Sequence, residues 1–125
     1  MSGKALTAAE ILAAQDARRE WVDVPEWGGG VYVQAMPGLA LDQYEQRLLA
    51  RRSVGKDGKT AVSLDNARAE LVALTACDEG GAPIFTIEQI ADLGKKSGAA
   101  LNRVVAAAQR LNGLNQKDVE QLAKN

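Results

Sequence analysis

The sequence predicts an α+β fold, mostly helical, in which a single domain over residues 1–125 packs an N-terminal β-hairpin on helices. Three observations predict it. Helix-start signals recur along the chain, one stretch between the first two of them alternates with period two, and the apolar content is rich in alanine. Hydrophobic residues make up 46% of the 125 positions, yet two Trp, two Tyr and one Phe are the whole aromatic complement. Such a core depends on closely packed helices with small side chains at their contacts, and alanine itself favours helix.

The first helix start lies in Leu6-Thr7-Ala8-Ala9-Glu10-Ile11. Thr7 can accept from the amide of Glu10 while the Glu10 carboxylate reaches back, and Leu6 and Ile11 form a hydrophobic staple around this capping box. Between this helix and the next, Trp21-Val22-Asp23-Val24-Pro25 alternates, as does Val31-Tyr32-Val33-Gln34-Ala35-Met36. The β-branched and aromatic residues of both runs suit strands. Glu26-Trp27-Gly28-Gly29-Gly30 between them supplies glycine for a reversal, so a hairpin is expected, ending at Pro37-Gly38. Pro25 has no amide hydrogen to donate, so its strand ends there or lies at an edge.

A helix over 41–51 follows, with Leu41, Tyr44 and Leu48 on one face. The polar, glycine-rich stretch about 53–62 reads as a flexible loop. Ser63 is a plausible cap for a helix presenting Leu64, Ala67, Leu71 and Leu74, and Cys77 falls at its apolar end. Asp78-Glu79-Gly80-Gly81-Ala82-Pro83 reads as a turn, followed by a short extended piece at Ile84-Phe85. A second capping box, Thr86 with Gln89 and the staple Phe85–Ile90, opens a helix that ends at Gly94. The helix over 97–111 carries Leu101, Val104, Val105, Ala108 and Leu111 on one stripe, with Asn112-Gly113 as its stop. Signals near 115 start a short last helix over 117–123.

Composition excludes several functions. Fifteen Lys and Arg against sixteen Asp and Glu leave a net charge of −1, without the basic excess that nucleic acid or anionic membrane demands. The basic clusters Arg18-Arg19 and Arg47, Arg51, Arg52 have Glu20, Asp42 and Glu45 nearby and read as solvated charge. One cysteine allows no internal disulfide, and its apolar setting suits a buried thiol in a reducing compartment. No signal-peptide run and no membrane-length apolar segment is present, so a cytoplasmic location is expected.

Chemistry finds no foothold. The chain has no histidine, which removes the commonest general base and the imidazole zinc signatures. Gly94-Lys95 and Gly55-Lys56 are preceded five residues earlier by Gln89 and Ala50, where a phosphate-binding loop needs glycine. A calcium loop starting at Asp78 would place Gly80, Ala82 and Gln89 at ligand positions. No catalytic residue, metal site or cofactor is therefore assigned, and the chain is read as a non-enzyme.

What remains is apolar surface. A two-stranded hairpin needs helices against one face, and the other can keep an aromatic strip. Core packing is the expected role of Trp21, and exposure that of Trp27 beside the glycines. Trp27, Tyr32 and Met36 on the hairpin, and Leu101, Val105 and Leu111 on the 97–111 stripe, are the candidate partner-binding residues.

Val22-Asp23-Val24-Pro25-Glu26-Trp27-Gly28 followed by Val31-Tyr32-Val33 resembles the front of the tail assembly chaperones of siphophages. So does the stretch from Cys77 to Thr86 leading into Ile90-Ala91-Asp92-Leu93, then Leu101-Asn102-Arg103, Leu111-Asn112 and the closing Val119 to Asn125. The likeness covers roughly residues 20 to 125, and the order of these short motifs carries it. It implies a protein of the infected host's cytoplasm that binds the phage tape measure protein, helps recruit tail tube subunits of the major tail protein, and is absent from the finished virion. Self-association of many copies along the tape measure is an expectation of the same kind, as is a longer product made by frameshifting near Lys124-Asn125. A helical rod exposes apolar surface that aggregates unless covered, and helix-in-groove contact is the physical means of covering it. The alternative reading is a structural head–tail connector or tail terminator of the virion, which would form rings.

Overall fold

A computed structural model describes residues 3–62 and 66–114. Helix α1 (Ala8–Ala13) carries the expected capping box, with Thr7 Oγ1 accepting from the Glu10 amide at 3.2 Å and the Thr7 amide donating to Glu10 Oε1 at 3.1 Å. None of its residues is buried. Strands β1 (Arg19–Val24) and β2 (Gly29–Gln34) form the predicted antiparallel hairpin, in register from Arg19↔Gln34 to Val24↔Gly29. The reversal is one 3₁₀ turn over Pro25–Trp27, completed by Gly28 at φ +76°, a conformation glycine adopts without a Cβ penalty.

Helix α2 (Gly38–Ala50) begins three residues earlier than its apolar pattern and buries Tyr44 and Leu48. The stretch read as a loop contains a short hairpin, β3 (Arg52–Val54) paired with β4 (Thr60–Val62). Its turn is held by the Lys59 amide on Asp57 Oδ1, so one aspartate and Gly58 at φ +79° suffice to close it. Helix α3 (Ala67–Thr75) is preceded by Asn66 in the left-handed region; the predicted cap at Ser63 lies outside the described residues. Cys77 does not end that helix. Residues Ala76–Cys77 form β5, which pairs with β2 and gives a three-stranded sheet of order β1-β2-β5. Two residues are too short for strand alternation to be read, which is why the pattern suggested helix.

The Thr86 box exists, with the Thr86 amide donating to Gln89 Oε1 at 2.8 Å, but it caps a 3₁₀ turn over Ile87–Gln89 before α4 (Ile90–Leu93). Gly94 follows, and space is its reason: a Cβ there would lie 2.0 Å from Asn66 Oδ1. Helix α5 (Gly98–Leu111) starts on Ser97, whose hydroxyl accepts from the Ala100 amide. It ends in a Schellman arrangement: the Leu114 amide donates to the Gln109 carbonyl, the Gly113 amide to the Arg110 carbonyl, and Gly113 has φ +67°. The last predicted helix, over 117–123, lies outside the described residues.

Helix α5 crosses beneath β1 and β2, and α3 packs beside it. Val22, Val24, Val31 and Val33 point from the sheet onto this layer, where Leu71, Val72, Leu101 and Val104 meet them in one core. Ala69, Ala73, Ala100, Ala107 and Ala108 are all buried, the close helix packing that the alanine-rich composition predicts.

Candidate partner-binding surface

The sheet has one covered and one open face. Alternation puts Arg19, Trp21 and Asp23 of β1 on the open side, beside Gln34, Tyr32 and Gly30 of β2. Trp21 is 52% exposed and not in the core, contrary to its expected role. The register explains the error: the inner positions go to Val22 and Val24, and a slip by one residue would reverse every side chain. Trp21 and Tyr32 are direct cross-strand partners whose rings meet edge to face at 5.1 Å and 72°. The indole lies over Gly30 and donates from Nε1 to Asp23 Oδ1 at 2.8 Å. Exposed as it is, this aromatic is held in one place.

At the other end of the open face the turn after β5 folds back. The Gln34 amide donates to the Gly81 carbonyl at 2.9 Å, and Arg19 donates to the Glu79 carbonyl. Asp78 Oδ1 accepts from the amides of Gly80 and Ala82, so the turn stabilises itself. Cys77 is buried as expected, and burial pushes its thiol above the ordinary range.

A second apolar surface lies at the hairpin tip. Trp27, Phe85 and Leu93 line an open cleft of about 450 Å³ with Glu26 and Lys96 on its rim. Arg103 of α5 donates to Glu26 at 2.9 Å and so fixes the tip on the helix. Arg110 makes the equivalent pair with Glu20, and these partners hold both carboxyls below the usual carboxylate range.

The candidate residues thus divide. Met36 and Leu101 are buried in the core, while Val105 and Leu111 are half-buried against it, because α5 turns its stripe to the sheet. Trp27 and Tyr32 are left at the surface, on two different features. Sequence reasoning passed over Phe85, Leu93 and Lys96 of the cleft, since nothing local indicates that residues 27 and 85 meet. It also passed over a buried carboxylate. Glu70, 5% exposed, accepts from Arg47 Nε and Arg51 Nη2, both at 2.5 Å. A signal existed: Glu70 falls on the apolar stripe of α3, three after Ala67 and four before Leu74, and the arginines are four apart on α2. Among the described residues no three His, Cys, Asp or Glu side chains gather as a metal would require, and no helix is long and apolar enough to cross a membrane.

A compact α+β scaffold displaying anchored aromatic side chains is the architecture of a binding protein. The sequence matches the model of the phage tail assembly chaperone family over residues 6–125, and the chain belongs to that family. Among solved structures it is similar to the tail assembly chaperone of bacteriophage HK97, with a TM-score of 0.57 and 24% identity over 82% of this chain and 94% of that one, a likeness of fold. No curated protein sequence matches it. The role of the family is that of a chaperone, in keeping with the resemblance read from the motif order.

Proposed function

We propose that this chain binds amphipathic helical segments of a phage tape measure protein in the host cytoplasm, keeps them soluble, and helps bring tail tube subunits to them. Membership of the tail assembly chaperone family supports the setting. The cleft of Trp27, Phe85 and Leu93 is the observation that carries the contact. Its size lies within the range of pockets that take large apolar groups. A partner helix presents such groups at i, i+3, i+4 and i+7, and one or two of them entering between Trp27 and Phe85 would be covered from water. Glu26 and Lys96 on the rim offer one charge of each sign to flanking polar residues.

Co-expression with the tape measure protein tests this. The wild-type chain is expected to hold the partner in the soluble fraction and co-purify with it. Trp27→Glu, at a partly exposed position, is expected to reduce co-purification at least about tenfold, as loss of an interface anchor does. Retention at the wild-type level would sink the cleft; failure of the wild-type chain itself would sink the chaperone reading. Stable rings retained in purified particles would favour a virion component instead.

A further inference from the structure

Strand β1 is an edge of the sheet: β2 lies on one side of it, and no described strand lies on the other. The Ala35 amide donates to the Arg18 carbonyl, so the backbone groups of Arg18, and by alternation those of Glu20, Val22 and Val24, face β2. Those of Arg19, Trp21 and Asp23 therefore face outward, three amides and three carbonyls in a row. An open edge of this kind is a template for another strand unless it is short, bulged or guarded by lysine or proline. Here Pro25 guards only the end.

The outward residues complement themselves. Laid antiparallel against a second β1 about Trp21, Arg19 faces Asp23 of the other copy, Trp21 faces Trp21, and Asp23 faces Arg19. Only this kind of register opposes residues whose free backbone groups point at each other, so each of the three pairs exchanges both of its hydrogen bonds. The same three side chains share the open face, where opposite charges directly across a ladder attract. Asp23 uses Oδ1 for the Trp21 indole, which leaves Oδ2 for the facing arginine.

The helical layer accepts the arrangement. Helix α5 contacts both β1 and β2, so two α5 helices would sit about two strand spacings apart, roughly 9.6 Å, within the 8–10 Å at which helices pack. Exposed Ala106 lies between Arg103 and Arg110 on α5, and both arginines are already paired with glutamates of their own chain. Neither bulk nor uncompensated charge obstructs the approach.

We infer that two copies of this chain pair reversibly through antiparallel β1 edges centred on Trp21, joining their sheets into one of six strands. The contact is small and belongs with weak, concentration-dependent associations. It stands independently of the cleft and of any tail protein.

Sedimentation equilibrium of the full chain from about 1 μM to about 1 mM is expected to show monomer passing to dimer. Asp23→Arg opposes two arginines and is expected to weaken association at least about tenfold. Arg19→Asp does the same with two aspartates, and the double charge exchange Arg19→Asp/Asp23→Arg restores opposite charges and the dimer. Circular dichroism confirms that each variant is folded. As a check that needs no charge change, Trp21→Cys places two thiols across a hydrogen-bonded pair, where mild oxidation is expected to form an interchain disulfide. A monomer at every concentration overturns the inference, as does any oligomer that neither single charge variant weakens or that Trp21→Cys does not crosslink.

Discussion

The indole of Trp21 rests on Gly30 so closely that a Cβ added to the glycine would lie 2.5 Å from Cζ2 of the ring and 2.6 Å from the Val22 carbonyl oxygen. Gly30 is there for want of a side chain, since its backbone is ordinary extended strand. Gly30→Ala must lift the indole off the strand and break its contacts with Tyr32 and Asp23. The expected cost is about 1–3 kcal/mol, read as a lower midpoint in urea unfolding, with a change in tryptophan emission. An unchanged midpoint and spectrum would mean that the ring is not seated there.

Glu70 joins α3 to α2 through Arg47 and Arg51, and its carboxylate is inside the fold. Breaking a buried pair costs more than the pair contributes, because a charge loses its compensation. Arg47 is 45% exposed and keeps water, which moderates the loss, whereas Arg51 is 20% exposed. Glu70→Ala is expected to cost about 2–3 kcal/mol in chemical denaturation. In double-mutant cycles the coupling of Glu70 to Arg51 should exceed its coupling to Arg47; equal values would contradict the burial difference.

Asn112 ties the end of β2 to the end of α5. Its Oδ1 accepts from the Met36 amide at 2.6 Å and its Nδ2 donates to the Ala108 carbonyl at 2.8 Å. Asn112→Ala leaves the Met36 amide without that acceptor, an expected loss of about 1–3 kcal/mol. Hydrogen exchange at Met36 should accelerate in the variant. Asn112→Asp keeps the acceptor but puts a negative charge at a helix C-terminus, so it should be destabilised for a different reason and retain more protection at Met36.

Acid should loosen the hairpin from α5. Arg110 and Arg103 lower the folded-state pKa values of Glu20 and Glu26. A carboxyl whose folded pKa is depressed contributes stability that is present above its unfolded value and is lost as pH falls through the folded one. The loss therefore starts near the ordinary glutamate value of roughly 4.3 and continues below it. Both groups are at the surface, so the effect is modest and is weakened by salt. A Glu20→Gln/Glu26→Gln double variant should show a flatter dependence of Tm on pH between about 5 and about 2 than the parent. Identical acid limbs would show that the two pairs do not form in solution.

Local order was legible wherever neighbours in sequence decide the outcome. Thr7 with Glu10, Thr86 with Gln89, Ser97 before α5 and Gly113 after it are satisfied within a few residues, and each acts where its pattern places it. The alternation from Trp21 to Gln34 gave the hairpin for the same reason, and the order of short motifs pointed to the family. Tertiary structure alone decided which side of that hairpin faces the core, because a period of two is identical on both faces until α5 covers one of them. It decided that Ala76 and Cys77 are a strand, since only the neighbouring β2 supplies their ladder. It also brought Trp27 to Phe85 and Arg51 to Glu70 across spans of chain that no local rule connects. Capping and turn energies act over one helical turn, whereas burial depends on what the whole chain places alongside.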